Sequence, residues 1–209
     1  MRFIPARVAT PLLALSLGVC TPADRESGQS GWTDSLKAVL LERVAEDQTV
    51  RDRFVTAMQA GTGLDSTLVA ELGALDSSNT AWLREAVSRH GWPDRDVIGQ
   101  DGANAAFLLV QHADADTGFQ AVMLDSLQAA FDRGQADGQS VALLTDRVAV
   151  ARNLPQRYGT QTRIIDGKIV LHPIEDSSTV DVRRRTMGLP PMSEYLRVLD
   201  SVYLGRRTP

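Results

Sequence analysis

Cysteine is nearly absent from this sequence, since the only one is Cys20. An intramolecular disulfide is therefore excluded, and so is a zinc site built from several cysteine thiolates. Because this thiol lies close to the N-terminus, we expect the fold that follows to be stabilised by packing and hydrogen bonds, without covalent cross-links.

The sequence also lacks an excess of positive charge. Its formal net charge is -4 at pH 7, and its pI is about 5.4. A protein that neutralises a phosphate backbone needs clustered basic residues, so we expect no nucleic-acid partner. Hydrophobic residues make up 43% of the 209 residues, which is an ordinary share for a globular domain and argues against a disordered chain.

The motifs of several well-known catalytic centres are missing. The sequence has no G-x-S-x-G or S-x-x-K nucleophile motif, no Gly-rich phosphate loop and no dinucleotide fingerprint. Its three histidines, His90, His112 and His172, show neither H-x-x-x-H nor H-E-x-x-H spacing, which are the helical spacings of zinc ligands. We therefore predict no metal site and no cofactor.

Residues 1–20 have the pattern of a secretory signal segment. Arg2 and Arg7 precede a short apolar run that ends at Cys20. The run is far shorter than the roughly 20 residues that cross a bilayer as a helix. Residues 21–33 are polar and contain Pro, Gly and Ser, and we interpret them as a tether between this segment and a folded domain.

Two fates of Cys20 are compatible with this pattern. The stretch Leu17-Gly18-Val19-Cys20 resembles a bacterial lipoprotein box, in which the cysteine is lipidated, although Val19 stands where a small residue is usual. In that case the protein is anchored to a membrane only through the lipid. The alternative is ordinary cleavage near Cys20 or Ala23, which releases a periplasmic or secreted protein.

Hydrophobic periodicity predicts a single, mainly helical domain over residues 34–204. Leu36 and Leu40 recur at helical spacing after a candidate N-cap at Thr33 or Asp34. Similar patterns predict helices over residues 34–47, 65–75, 117–132, 140–152, 180–187 and 193–203, and a further helix from a cap cluster at residues 76–79 to His90.

One segment, residues 102–113, is apolar on every side, which predicts a central buried helix. Near the C-terminus two short β-branched runs flank Asp166-Gly167, a pair that suits the positive φ of a type I′ turn. We therefore predict an antiparallel array of helices around a central apolar helix, with a small β-hairpin near residues 162–171.

Four groups of residues give the domain a recognisable signature. They are His90-Gly91-Trp92-Pro93; Gln111-His112-Ala113-Asp114 followed by Phe119-Gln120; Asp146-Arg147-Val148; and Gln156-x-Tyr158-Gly159-Thr160-Gln161. Together they resemble an uncharacterised bacterial family, a domain of unknown function, over the stretch from Leu36 to Tyr195. The resemblance implies one recurring domain, often found behind export signals, and implies no particular activity.

His112 directly follows the apolar helix, between Gln111 and Asp114. A histidine beside a carboxylate is the arrangement of an oriented general base, which makes His112 and Asp114 catalytic candidates. The structural alternative is a histidine that caps the helix carbonyls and holds the next turn. Arginine beside aspartate, at Asp47/Arg51 and at Asp146/Arg147, is interpreted as structural ion pairing.

The loop at residues 156–161 combines amide, phenol and hydroxyl groups between a helix and the hairpin. Such a loop can present several donors and acceptors to one ligand, or it can hold the junction together from inside. With a tryptophan as a possible aromatic wall, the candidate ligand-binding residues are Trp92, Gln111, Gln156, Tyr158 and Gln161.

These observations favour an exported cell-envelope module that binds a small molecule or peptide. An alternative is a metal-independent hydrolase or lyase in which His112 is the general base, Asp114 orients it, and Tyr158 or Gln161 stabilises an oxyanion. A third hypothesis is a purely structural envelope protein in which these residues only hold the fold together.

Lipidation of Cys20 is testable by growing the producing cells with radiolabelled palmitate. We expect label on the wild-type protein and none on Cys20→Ser, because the chain offers the lipid no other thiol. An unlabelled wild-type protein would contradict the lipid anchor. It would instead favour ordinary cleavage of the signal segment and release of the protein.

Overall fold

The computed structural model describes residues 31–61 and 65–204. The predicted signal segment and residues 21–30 of the predicted tether lie outside the described residues. The secondary-structure elements of the described residues are helices α1 Asp34–Ala60, α2 Ser66–His90, α3 Arg95–Gln111, α4 Thr117–Asp132 and α5 Gly138–Ala151, strands β1 Thr162–Ile165 and β2 Lys168–Leu171, and helices α6 Val180–Thr186 and α7 Met192–Leu204.

Helix α3 lies at the centre of the fold. It packs against α1, α2, α4 and α5, and its residues Ala106, Leu109 and Val110 are almost completely buried. An all-apolar helix surrounded by amphipathic ones is what the sequence predicts, and the mainly helical fold class is confirmed. None of the helices in the described part of the chain is long and apolar enough to cross a membrane.

The core extends further toward the N-terminus than predicted. Trp32, which the sequence analysis placed in the tether, is buried within the main hydrophobic cluster. Its indole Nε1 donates to the carbonyl of Gly91 at 2.9 Å, and its ring packs edge-on against Trp82. A polar stretch therefore ends in an aromatic anchor, which fixes where the folded domain begins.

Several helix ends lie where the cap residues predict them. The Thr33 side chain accepts from Leu36 N, and the Asp65 side chain accepts from Thr67 N. Gly91, with φ 74°, ends α2, a conformation that L side chains rarely adopt. These ends depend on local chemistry, which explains why the sequence is sufficient to locate them.

The predicted break at residues 76–79 is wrong, because α2 runs through it without interruption. The hydroxyls of Ser77 and Thr80 donate to carbonyls one turn earlier, at 2.8 and 2.7 Å. Asp76 binds Arg51 instead of capping a helix. Tertiary partners and i−4 bonds therefore satisfy side chains that resemble a cap cluster in sequence.

Helix α1 also continues past its predicted end near residue 47, to Ala60. Asp47 and Val50 are buried in the middle of this helix. Helix α3, in turn, starts at Arg95 rather than near residue 102. Its first turn is separated from the buried part by a kink at Gly99, where φ is 76°.

The predicted hairpin is confirmed at its predicted position. Strands β1 and β2 pair antiparallel, with Ile165 opposite Lys168. Asp166 and Gly167 have φ of 49° and 67°, the two positive values that a type I′ turn requires. The hairpin packs against α7 through β2, which places one wall of the cleft described below.

Candidate functional site

A buried carboxylate on α5 organises the loop at residues 156–161. Asp146 is fully buried. Its oxygens accept from Arg157 N at 2.7 Å, from Tyr158 N at 2.9 Å, from Thr160 N at 2.9 Å and from the Thr160 hydroxyl at 3.0 Å. Burial of an ionised carboxylate is tolerated only where donors surround it, so the loop and the carboxylate stabilise each other.

The predicted ion pair between Asp146 and Arg147 does not form. Successive residues of a helix point in different directions, and the Arg147 guanidinium reaches Asp114 instead. Sequence adjacency therefore suggested a partner that helix geometry keeps away.

Gln156 is an internal support rather than a ligand-binding residue. It is fully buried, and its Oε1 accepts from Gln161 N at 2.8 Å. Its Nε2 donates to the carbonyls of Gln161 and His172 at 3.0 and 2.9 Å. With every polar atom of the amide engaged, Gln156 has nothing left to offer a ligand, which corrects its assignment from sequence.

A second layer supports the same loop from behind. Arg184 is fully buried and donates through Nη1 to the Tyr158 carbonyl at 2.7 Å. Its guanidinium lies 4.7 Å from the ring centre of Tyr195, whose hydroxyl donates to the Thr160 carbonyl at 2.7 Å. Burial raises the pKa of the Tyr195 phenol and lowers the pKa of the Arg184 guanidinium.

A cleft opens beside this supported loop, with a volume of about 410 Å³. Its walls come from α1, α3, α5, the hairpin and α7. The lining residues are Met58, Gln111, Leu143, Arg147, Thr160, Gln161, Thr162, Arg163, Ile164, Ile169, Tyr195, Leu199 and Tyr203. Gln111 and Gln161, both predicted ligand-binding residues, thus meet in one cleft.

The other predicted binding residues do not line it. Tyr158 contributes its backbone N–H to Asp146 and its carbonyl to Arg184, while its ring stacks with the neighbouring Arg157. Trp92 packs against the main core and borders a much smaller pocket with Phe107. The groove predicted to join Trp92 to residues 156–161 is therefore not what the structure shows.

Asp114 does not orient His112. Both of its oxygens accept from Arg147 Nη1, at 2.6 and 2.7 Å, and one also accepts from Gln120 Nε2 at 3.1 Å. The same Gln120 amide lies 3.2 Å from the carbonyls of Val110 and Gln111. Asp114 and Gln120 thereby join the end of α3 to α4 and α5, which is a structural role.

The carboxylate partner of His112 comes from α1. His112 Nδ1 lies 2.9 Å from Asp47 Oδ2 and 2.9 Å from Arg51 Nε. Arg51 also binds Asp47 at 3.1 Å and Asp76 at 2.5 Å. Nδ1 either accepts from the Arg51 Nε–H or donates to Asp47 Oδ2, and only the second tautomer leaves Nε2 with a lone pair.

His112 Nε2 lies next to a residue of the cleft wall, although His112 itself is not among the lining residues. It is 3.5 Å from the amide nitrogen of Gln111, and Gln111 lines the cleft. The His112 side chain is 11% exposed, whereas that of Asp47 is completely buried. A histidine bonded to a buried carboxylate through one ring nitrogen, with the other nitrogen close to a cleft residue, has part of the geometry of a general base.

The two carboxyl groups that share Arg51 are shifted in opposite directions. Burial favours the neutral form of Asp47, but the hydrogen bond and charge of His112, with the charge of Arg51, outweigh it and lower the pKa of Asp47. At Asp76 burial outweighs the attraction of Arg51, so the pKa of that carboxyl is raised. Asp47 therefore remains the anion of the cluster as the pH falls.

The same cluster has the composition of a cation site. One ligand atom each from Asp47, Asp76 and His112 lies within 4.8 Å of the others. The Arg51 side chain, however, contacts all three of these residues. A metal ion would have to displace the guanidinium, which already supplies the positive charge that the two carboxyl groups need.

The roles of Asp47 and Asp76 beside His112 are not predicted from the sequence. One signal was present, because Asp47 lies three residues after Val44 and seven after Leu40, on the apolar face of α1. A carboxylate in line with core residues is an indication of a buried partner. The identity of that partner depends on the packing of α1 against α3 and cannot be deduced from spacing.

Comparison with known proteins identifies one family. The model of a family of unknown function, DUF6624, matches residues 34–207 of the chain, which confirms the resemblance noted from the sequence. Neither the curated proteins nor the solved structures contain a match.

Proposed function

This chain belongs to DUF6624, a family of unknown function, and we propose that it is an exported cell-envelope protein that binds a small organic molecule in the cleft beside residues 156–161. The observation that carries the proposal is the cleft itself. Its volume of about 410 Å³ falls in the range of roughly 300–1,000 Å³ that small-molecule sites occupy.

The two kinds of wall in this cleft suit an organic ligand. Apolar side chains from three elements, including Leu143, Ile164 and Leu199, offer a surface for a hydrocarbon or aromatic body. Thr160 and Gln161 form a polar side of the cleft. The Thr160 hydroxyl and Gln161 Nε2 are bonded within the protein, which leaves Gln161 Oε1 as the side-chain atom without a partner in the described residues. A mixture of apolar surface with a few directed polar groups is typical of sites that recognise one molecule.

The polar wall is held in position before any ligand arrives. Thr160 is bonded to Asp146 through both its N–H and its hydroxyl, and its carbonyl accepts from Tyr195. The Gln161 backbone pairs with the buried Gln156 amide. Groups fixed in this way lose little conformational entropy on binding, which favours affinity.

Export rests on the sequence of residues 1–20. The charged start, the short apolar run and the position of Cys20 support delivery across a membrane, with lipidation of Cys20 as the proposed anchor. A small-molecule binding domain at the cell envelope is consistent with this location. Peptides remain a possible ligand class where only one or two side chains enter the cleft.

Binding in the cleft is testable with N-phenyl-1-naphthylamine, an uncharged probe whose fluorescence rises in an apolar site. We expect saturable binding to the wild-type protein and a loss of about tenfold in affinity for Ile164→Asn, since about 1.4 kcal/mol of apolar contact corresponds to that factor. The measurement is a fluorescence titration of each purified protein.

Ile165→Asn is the matched control for that titration. Ile165 is the next residue of the same strand, is exposed like Ile164, and does not line the cleft. Equal affinities of the two variants, or no binding to the wild-type protein, would overturn the proposed binding function.

A second candidate function is a metal-independent hydrolase or lyase, which the contact between Asp47 and His112 favours. In ester hydrolysis His112 Nε2 would take a proton from water as the water oxygen bonds to the carbonyl carbon, and the alkoxide would leave with that proton. The Gln111 amide, which lies at the cleft, is a candidate donor to the developing oxyanion, whereas Gln161 Nε2 already donates to the Leu143 carbonyl and the Thr160 hydroxyl.

This activity is testable with 4-nitrophenyl acetate, an ester so reactive that it needs little specific recognition. We expect release of 4-nitrophenolate above the buffer rate, reduced by about a hundredfold in His112→Gln and also reduced in Asp47→Asn. The matched control is His172→Gln, because the His172 ring, unlike that of His112, has no carboxylate partner in the part of the chain that the structure describes. A wild-type rate equal to that of His112→Gln excludes this ester chemistry.

A further inference from the structure

Charge is distributed unevenly around the cleft. Two arginines, Arg147 and Arg163, line it, and no aspartate or glutamate is among the lining residues that the structure describes. The chain as a whole has a formal charge of -4, so a cationic lining runs against the overall composition. An opening whose own walls carry one sign of charge concentrates ligands of the opposite sign.

The positive charge of the Arg163 side chain is not compensated by an acidic partner in the described residues. Arg163 lies on β1 and is exposed, and its side chain forms no hydrogen bond or ion pair with any other residue in the described ranges. Most other arginines at tertiary contacts are engaged, as Arg183 is with Asp176 and Thr179. An uncommitted guanidinium at the mouth of a cleft is suited to receive an anionic group from solution.

Among the described residues, the Arg147 guanidinium is hydrogen-bonded on one side only. Its Nη1 binds both oxygens of Asp114, but its Nε is buried and has no hydrogen-bond partner among the described residues. A buried guanidinium N–H without an acceptor is unfavourable. Because Arg147 lines the cleft, an anionic oxygen there can accept from the N–H groups of the guanidinium that Asp114 does not use.

The nearby acids do not cancel this positive charge at the cleft. Asp146 directs its oxygens at four donors of residues 157–160. Asp47 and Asp76 are engaged by Arg51 and His112. Asp114 compensates Arg147 in part and leaves Arg163 uncompensated.

We propose that the ligand of this cleft is a small organic anion with an apolar body, and that Arg163 is the residue that selects the anion. This inference rests on the proposed binding function. The apolar body packs between Leu143, Ile164 and Leu199, and the anionic head lies toward the two arginines. A carboxylate and a sulfonate share the chemistry that the arginines recognise.

The test compares two probes with the same aromatic body. The first, N-phenyl-1-naphthylamine, is uncharged, and the second, 1-anilinonaphthalene-8-sulfonate, adds a sulfonate. We expect the wild-type protein to bind the sulfonate probe more tightly, and Arg163→Gln to weaken that probe alone by about three- to fivefold, as befits a partly exposed ion pair. The preference should shrink as salt is raised.

Arg185→Gln is the matched control, because Arg185 is an exposed arginine of α6 that does not line the cleft. It removes the same charge and should leave both affinities as in the wild-type protein. Ile164→Asn locates the probes, since it should weaken both of them if both occupy the cleft. If Ile164→Asn leaves the affinity of the sulfonate probe unchanged, the proposal is overturned, because the probe then binds outside the cleft.

The outcomes separate this proposal from the one on which it rests. If both probes bind equally, or if Arg163→Gln weakens both to the same extent, the anion selectivity is wrong while binding in the cleft stands. If neither probe binds the wild-type protein, the binding function itself fails and the selectivity with it. Both the binding function and the anion selectivity are supported if the wild-type protein prefers the sulfonate probe, Arg163→Gln abolishes that preference, and Arg185→Gln preserves it.

Discussion

The cleft depends on one interaction, the bonding of the buried Asp146 carboxylate to the backbone of residues 157–160. A carboxylate without donors in such a position would be strongly unfavourable, and a loop with three N–H groups directed inward would be equally so without an acceptor. Each therefore requires the other. Their bonding sets the direction in which Thr160 and Gln161 face, and with it the polar wall of the cleft.

The surrounding elements add to this constraint. Arg184 holds the Tyr158 carbonyl from α6, and Tyr195 holds the Thr160 carbonyl from α7. On the opposite side, Arg51 ties α1 to α2 through Asp76 and contacts His112 at the end of α3. One polar network thus shapes the cleft, and a second holds His112 beside Gln111, which lines the cleft.

Features that depend on neighbouring residues were predictable from the sequence. The Asp166-Gly167 turn, the Thr33 cap and the all-apolar helix α3 each follow from residues close in the chain. The break expected at residues 76–79 failed because Asp76 has a partner on another helix. Local composition shows that a side chain needs a partner, but only packing decides whether water, backbone or another helix supplies it.

The same distinction explains the candidate site. Gln111 and Gln161 were selected as polar residues near turns, and they do meet at the cleft. Gln156 has the same chemistry but is directed inward, a difference that composition does not encode. Asp114 was chosen to orient His112 because it is close in sequence, whereas Asp47, brought by the packing of α1 on α3, holds that position.

The most direct test of this account is hydrogen exchange of the backbone amides of residues 157, 158 and 160, measured by NMR. We expect slow exchange despite their position in a loop, and exchange about ten- to a hundredfold faster in Asp146→Asn, matching the roughly 1.5–3 kcal/mol of a charged hydrogen bond. Asp125→Asn, an exposed change on α4, should leave these rates unaltered. Rapid exchange in the wild-type protein, or protection unchanged in Asp146→Asn, would contradict the claim that this carboxylate organises the site.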